Sequence, residues 1–228
     1  MTAILRTAWL VARKDLMVEA RSRELAYTTL FFAMACLLVF AFGFVRGDGR
    51  APDDAAAGIL WVTVVFSGTL ALGRAFERER SGETLRALLL APVERAAIYL
   101  GKLLALIVLI VGVEVIIVPV VGLLFSAPVG RAPWMLLGLL ASGTIGFAAV
   151  GTLFAAMLVR AQSRDVLLPI VLYPIVVPMV IGGVRGTAAI FAAEPNLALA
   201  EAWLGILVFF DAVFLTLALW TFAPVMSE

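Results

Sequence analysis

Two acidic side chains stand inside long apolar runs of this sequence. Glu114 lies near the middle of one run and Asp211 near the middle of another. A charge at the centre of a bilayer costs about 2.5–3.5 kcal/mol on insertion scales, so such residues face a bundle interior or water. They would act either as polar points on a conduction path or dimer seam, or as protonated or hydrogen-bonded packing residues. The sequence brings no two carboxyls together, so it gives no ground for acid–base catalysis.

Residues needed for several other kinds of chemistry are missing. The chain has no His, the commonest protein ligand of zinc and haem iron, and its single Cys, Cys36, excludes an intramolecular disulfide. Gly101-Lys102 does not complete a phosphate-binding loop, G-x-x-x-x-G-K-[ST], because Leu103 follows in place of Ser or Thr. We therefore expect no metal or haem centre held by this chain alone, and no ATP hydrolysis by it.

Composition and hydropathy place the chain in a membrane. Hydrophobic residues make up 64% of the 228 positions and charged residues 14%, and the mean hydropathy is +1.11, which is unlike a soluble domain. Apolar runs of about 20 residues can cross the hydrocarbon layer as helices. We expect an all-α membrane protein with a six-span domain at residues 25–223 and a cytoplasmic tail at 224–228. The spans are expected at about residues 25–45, 58–76, 103–125, 134–159, 166–184 and 203–223.

The distribution of basic residues predicts the orientation of the spans. When the N-terminus is placed in the cytoplasm, 13 of the 17 Lys and Arg residues fall in cytoplasmic segments and four in outer loops. Cytoplasmic loops carry an excess of Lys and Arg. Both termini are therefore expected on the cytoplasmic side.

Residues 1–24 have the pattern of an amphipathic helix. Basic residues flank its apolar positions, and Trp suits the headgroup boundary, so the segment is expected to lie in the membrane interface. A partly ordered polar tail is the alternative. We expect no cleavable signal peptide, because the apolar run that follows is too long for one. The apolar positions that recur at helical spacing are Leu5, Trp9, Ala12, Leu16 and Ala20.

A charged, Leu-rich stretch separates the second and third spans. Residues 76–102 hold nine of the chain's 17 basic and 16 acidic residues. Ser81-Gly82 is expected to break the helix that leaves the second span, and Pro92 to end the next one, because the residue before a proline resists helical geometry. A helix this short is marginal in water, so it needs a surface in the headgroup layer, on its own protein or on a soluble partner. Its apolar face consists of Leu85, Leu88 and Leu89.

This stretch and the blocks around it resemble a known family. The segment FERERSGETLRALLLAPVERAAIYLGKLLA is similar to the region between spans two and three of ABC-2-type export permeases. The blocks RKDLMVEARSRE, GILWVTVVFSGTLALGRAFERERSGETLRALLLAPV and LLPIVLYPIVVPMVIGG resemble the CcmB family, the permease subunit of the cytochrome c maturation system, also called haem exporter protein B. Gly73 and Gly82-Glu83-Thr84 are closer to the general ABC-2 pattern, which keeps relatives with other cargo in consideration.

The resemblance implies how the chain is coupled to ATP. In those permeases the segment forms a coupling helix that docks on an ATP-binding subunit, so residues 77–102 are expected to be cytoplasmic. The implied partners are a CcmA-like ATP-binding subunit, a second copy of the permease, CcmC-like and CcmD-like membrane proteins, a CcmE-like haem chaperone and the lipid bilayer of a bacterial inner membrane, with no nucleic acid. ATP would act through the partner subunit, and haem is a possible cargo. The expected coupling residues are Glu77, Glu79, Gly82, Glu83, Leu85, Leu88, Leu89 and Pro92.

The function implied by the resemblance is that of a permease subunit in cytochrome c maturation, and the chain is not expected to be an enzyme. Its role would be haem export or ATP-driven release of haem-loaded chaperone. One alternative is an ABC-2-type export permease for another cargo, such as a lipid, polysaccharide or drug. The other alternative is a membrane scaffold without transport.

Prolines and small residues suggest how two of the spans behave. Prolines kink helices, so the fifth span is expected to be interrupted, as a hinge or as a static kink, at Pro169, Pro174 and Pro178. Small residues four positions apart let helices approach closely, and the fourth span carries Gly138, Ser142 and Gly146 at this spacing.

Two further expectations concern the ends of spans. Residues 185–202 are expected to lie beyond the fifth span, with Pro195 opening a short outer helix at residues 196–203. Tryptophans near span ends are expected to anchor the membrane interfaces. They are Trp61, Trp134, Trp203 and Trp220.

Overall fold

The computed structural model describes residues 2–44, 53–81, 94–158 and 163–225, and these residues form seven helices and no strand. Six of the helices are long and apolar enough to cross a membrane. The all-α membrane fold expected from the sequence is therefore confirmed. The helices are α1 Thr2–Ser22, α2 Glu24–Phe44, α3 Asp53–Ser81, α4 Arg95–Phe125, α5 Pro133–Met157, α6 Arg164–Phe191 and α7 Leu197–Val225.

Helix α5 is the centre of the bundle. It contacts α3, α4, α6 and α7. In its most apolar stretch 78% of the residues are buried, against 22% for the corresponding stretches of α2 and α7, which places those two helices at the periphery. A helix that is apolar all round and enclosed by others is buried on every side. The small residues of α5 then allow four neighbours to approach it.

Helix α1 packs on the first turns of α4. A Cβ atom added at Gly101 would lie 2.6 Å from the Cβ of Val11 and 2.7 Å from the carbonyl oxygen of Ala8, so this approach requires a glycine. The predicted apolar face of α1 is divided, since Ala12 is buried while Leu5 and Trp9 are more than half exposed. That α1 lies in the membrane interface stays a prediction.

A tight turn at Arg23 joins α1 to α2. The backbone of Arg23 has φ 54°, in the left-handed region that non-glycine residues seldom adopt. Glu19 accepts a hydrogen bond of 2.8 Å at its Oε1 from the backbone N–H of Ala26. The last turn of α1 thus provides a partner for one of the open N–H groups at the start of α2, as an N-cap would.

The loops at the opposite end of the bundle are tied together. Ser126 ends α4 in a left-handed conformation, and Pro133 begins α5 where its missing N–H costs nothing. Between them, the Arg131 guanidinium donates a hydrogen bond to the carbonyl oxygen of Ala192, which follows α6. The α4–α5 and α6–α7 connections therefore share one contact.

The end of α6 differs from the sequence expectation. Helix α6 continues to Phe191 and α7 begins at Leu197, so the expectation of a separate short helix at residues 196–203 is wrong. Asn196 does cap a helix, because its Oδ1 accepts a hydrogen bond of 2.9 Å from the N–H of Leu199, but that helix is α7. The glycines near residue 183 do not end α6, because tertiary packing uses them for close helix contacts and overrides their low helix propensity.

Candidate functional site

Both intramembrane carboxyl groups are hydrogen-bonded to α5. Thr144 donates to Glu114 Oε1 on α4 at 2.5 Å, and Ser142 donates to Asp211 Oδ2 on α7 at 2.6 Å. Glu114 and Asp211 are only 5% and 8% exposed. Side chains two positions apart on a helix point about 200° apart, so one turn of α5 can hold α4 on one side and α7 on the other.

The Asp211 side chain occupies space that Gly146 leaves open. A Cβ atom at Gly146 would lie 2.5 Å from Asp211 Oδ1, and one at Gly138 would lie 3.3 Å from the side chain of Leu204. Together with Ser142, these glycines form the face of α5 that receives α7. The prediction that the small residues of the fourth span are a packing surface is confirmed.

One oxygen of the Asp211 carboxyl group lacks a hydrogen-bond partner. Within the described part of the chain, Asp211 Oδ1 is buried and accepts no hydrogen bond. Buried polar atoms are usually paired, so an unpaired one indicates strain, bound water or function. Packing and a conduction path both stay as predictions for Glu114 and Asp211. The hydrogen bonds from Thr144 and Ser142 are the contacts that a packing role requires.

Trp61 lies inside the bundle and does not anchor an interface. Its side chain is fully buried, and its indole N–H donates to the hydroxyl of Thr187 on α6. Cβ atoms added at Gly143 on α5 and Gly183 on α6 would lie 2.2 Å and 2.4 Å from the indole ring. The interface prediction is therefore wrong for Trp61, because two glycines on other helices create a slot for it. Trp134 and Trp220 are 82% and 78% exposed, as the interface prediction requires.

A buried ion pair joins α1 to α4. Lys102 Nζ lies 2.6 Å from Asp15 Oδ2, and the Lys102 side chain is 8% exposed. Lys14 Nζ lies 2.9 Å from the other oxygen of the same carboxylate. Buried charges are tolerated when they are paired in this way. Arg74 on α3 approaches Glu24 on α2 at 3.7 Å, but this second pair is largely exposed.

Six of the eight predicted coupling residues lie outside the described residues. These are Gly82, Glu83, Leu85, Leu88, Leu89 and Pro92. Glu77 and Glu79 lie on the last two turns of α3. Helix α4 begins at Arg95 and carries Tyr99 and Lys102 toward the third span. The segment therefore connects α3 with α4, and its docking role stays a prediction.

The three prolines of the fifth span do not divide it into two helices. Pro169, Pro174 and Pro178 all lie within α6, which is continuous from Arg164 to Phe191. A proline inside a helix removes one backbone hydrogen bond, and neighbouring helices in a bundle can compensate. A hinge at these positions stays a prediction. Helix α4 also contains a proline, Pro119.

Sequence reasoning missed several residues that connect helices. Tyr99 on α4 donates a hydrogen bond of 3.0 Å to the carbonyl oxygen of Ala149 on α5, and its ring lies 5.2 Å from that of Phe222 on α7. Thr144 and Thr187 are hydroxyl-bearing residues within apolar runs. Such hydroxyls are a weak signal in a sequence, but in a membrane they can form hydrogen bonds with polar groups on other helices.

The described residues contain no group of three or more His, Cys, Asp or Glu side chains that could hold a metal ion. The expectation that this chain holds no metal or cofactor of its own stays a prediction. Among the described residues, two separate carboxyl–hydroxyl pairs and two interhelical ion pairs are an arrangement suited to joining helices.

Known proteins resemble the chain over nearly its whole length. The family model described as "CcmB protein" matches residues 6–227. A protein of Paracoccus denitrificans (strain Pd 1222), "Heme exporter protein B", is 35% identical over 199 residues, which is 85% of this chain and 84% of that protein.

Proposed function

The chain belongs to the CcmB family, and from this we propose that it is the permease subunit of an ATP-driven complex for cytochrome c maturation. The observation that carries the proposal is the family match over residues 6–227, which covers the predicted coupling segment and all six candidate spans. A relative named for haem export, similar over most of both chains, supports haem as the substance handled.

ATP hydrolysis is assigned to a separate, CcmA-like subunit. The sequence contains no phosphate-binding loop, and its one Gly-Lys pair is followed by Leu103. The proposed docking site lies within residues 77–102, between the second and third spans, with Leu85, Leu88 and Leu89 as its apolar face. In this proposal the chain is a transporter subunit and carries out no catalysis.

The contacts of α3 and α4 give the proposal a mechanical route. The docking segment joins these two helices, so a displacement of the segment acts on both. Helix α4 is linked to α5 through Glu114 with Thr144 and through Tyr99 with Ala149. Helix α3 is linked to α5 and α6 through Trp61. Motion at the cytoplasmic end would therefore reach the central helix by two routes.

The proposed assembly contains a second copy of this chain and further membrane proteins. We place it in a bacterial inner membrane with both termini in the cytoplasm, because this orientation puts 13 of the 17 Lys and Arg residues on the cytoplasmic side. CcmC-like and CcmD-like subunits and a CcmE-like haem chaperone complete it. In this proposal, the motion driven by ATP hydrolysis either exports haem or releases the haem-loaded chaperone from the assembly.

A deletion strain tests the proposed function. Without the chain, c-type cytochromes detected by haem staining should disappear while b-type cytochromes remain, and a plasmid copy should restore them. A tagged copy should co-purify an ATP-binding subunit from solubilised membranes. Normal c-type cytochromes in the deletion strain would indicate another cargo, and a native complex without an ATP-binding subunit would indicate a scaffold.

A further inference from the structure

A cavity lies where α1 meets α2, α3 and α4. It has a volume of about 250 Å³. Pockets that enclose whole drug-sized ligands are usually larger, at roughly 300–1,000 Å³, so this one suits a part of a molecule whose remainder lies outside. Val18 at its edge is 43% exposed, while Lys102 and Leu106 on its α4 wall are buried, which makes it an open pocket on the bundle surface.

The lining is divided into a charged end and an apolar end. The charged end is formed by Lys14, Asp15 and Glu19 of α1 and Lys102 of α4. From Lys102 the wall continues along one face of α4 through Ala105, Leu106 and Leu109. Seven residues of helix rise about 10 Å, so the lining changes from charged to apolar over the depth of a headgroup and the first part of an acyl chain. Leu16 and Val18 of α1, Leu25 of α2, and Ala75 and Phe76 of α3 complete it.

The charged end is balanced. Two ammonium groups and two carboxylates line it, and Asp15 lies between both lysines, at 2.6 Å from Lys102 and 2.9 Å from Lys14. An anionic headgroup would be matched by an excess of positive charge. A zwitterionic group that carries a phosphate and a primary ammonium complements such a set, because each of its charges finds an opposite one.

We propose that this cavity binds one phospholipid with an ethanolamine headgroup, as a built site and not as part of the general lipid layer. The phosphate lies against Lys14 and Lys102, the ammonium donates to Asp15 and Glu19, and one acyl chain runs along Leu106 and Leu109. The lipid fills the junction between α1 and the bundle, beside the helix ends that bear the docking segment. The site is independent of what the permease carries.

Three headgroups on the same acyl chains test the proposal. The full-length permease complex is purified, exchanged against vesicles of palmitoyl-oleoyl phosphatidylethanolamine, phosphatidylglycerol or phosphatidylcholine, and examined by native mass spectrometry for retained lipid. We expect one ethanolamine lipid per permease chain. The other two should be retained roughly tenfold less, because choline has no N–H to donate and glycerol has no positive charge.

Matched variants locate the bound lipid. Lys14→Gln removes a phosphate partner and leaves the Lys102–Asp15 pair, while Leu109→Trp fills the apolar end; both should lose the retained lipid. Arg13→Gln, at an exposed neighbouring position, and Leu123→Trp, at a position 81% exposed near the other end of α4, are the controls and should keep it. Thermal unfolding of each variant checks that it folds, and the two test variants give independent readouts.

Three results would overturn the proposal. Equal retention of all three lipids would mean surface lipid only. A preference for phosphatidylglycerol would mean an anionic site. Retention unchanged in both Lys14→Gln and Leu109→Trp would place the bound lipid elsewhere on the protein.

Discussion

Trp61 and Thr187 are 126 positions apart in the sequence, and the indole N–H of the first donates a hydrogen bond of 2.9 Å to the hydroxyl of the second. Both side chains are fully buried. This bond joins α3 to α6 within the bundle interior, where no water competes for either group. The slot around the ring, lined by Gly143 and Gly183, holds the donor in position.

Replacing the acceptor should destabilise the protein. Thr187→Val keeps the shape of the side chain but leaves the Trp61 N–H buried without a partner, which costs about 1–3 kcal/mol. Thermal unfolding of the detergent-purified chain should show a lower midpoint. The control is Thr216→Val, at an exposed position whose hydroxyl bonds to a carbonyl of its own helix. An equal effect of the two substitutions would argue against a special role for the Trp61 bond.

The two ion pairs should differ strongly in their contribution to stability. Asp15→Asn leaves the ammonium of Lys102, 8% exposed, without its carboxylate, and removing one partner of a buried pair costs about 3–5 kcal/mol. Arg74→Gln breaks the exposed pair with Glu24, which is worth about 0–1 kcal/mol. Denaturant unfolding measures both.

A double variant shows whether the cost comes from the buried charge of Lys102. Asp15→Asn combined with Lys102→Met removes both charges and should recover most of the stability lost in Asp15→Asn alone. If the double variant is no more stable than the single one, the buried charge does not explain the loss.

Amide replacements should separate the two interpretations of the intramembrane carboxyls. Glu114→Gln and Asp211→Asn keep an oxygen that can accept from Thr144 and Ser142. If these groups serve packing, both variants should assemble and support near-normal production of c-type cytochromes. Loss of cytochromes from a well-assembled variant would instead support a conduction path.

A shape-changing variant provides the contrast. Asp211→Leu leaves the Ser142 hydroxyl without its acceptor and places a branched side chain against Gly146, so it should lower stability by about 1–3 kcal/mol. Size-exclusion profiles before and after heating measure the difference from Asp211→Asn.

The docking segment should tolerate changes of shape better than changes of polarity. Leu88→Asp with Leu89→Asp places two charges on the proposed apolar face, so ATP hydrolysis should become uncoupled from cytochrome c production while the chain still inserts into the membrane. Leu88→Met with Leu89→Met keeps the face apolar and serves as the control. ATPase activity and haem staining are measured together. Normal cytochrome levels in the double Asp variant would contradict docking through this face.

The sequence predicts which segments cross the membrane better than it predicts which side chains meet. Six apolar runs identify the six candidate spans because span length is set by the bilayer. The stripe of Gly138, Ser142 and Gly146 could be recognised because its members lie on one helix. The separate sequence patterns of the two helices do not show how the helices pair. They therefore could not predict that this stripe receives α7 or that Ser142 donates a hydrogen bond to Asp211.

Trp61 shows the same limit. A tryptophan near the end of an apolar run is typical of an interface, and nothing in α3 alone contradicts that interpretation. The glycines that accommodate its ring lie on α5 and α6. The continuation of α6 past Gly183 has the same cause, because glycine is a weak helix former whose place in this helix is supported by neighbours distant in sequence.

The central position of α5 has a consequence for mutational tolerance. One of its faces bonds Ser142 to α7, another bonds Thr144 to α4, and Gly143 between them receives the Trp61 ring. Three consecutive residues thus face three different helices. The movement of one neighbouring helix would therefore not make room for a methyl group added at each of these positions. In a saturation library of this chain, residues 142–144 should be the block where enlargement is accepted least, whatever substance the assembled machine handles.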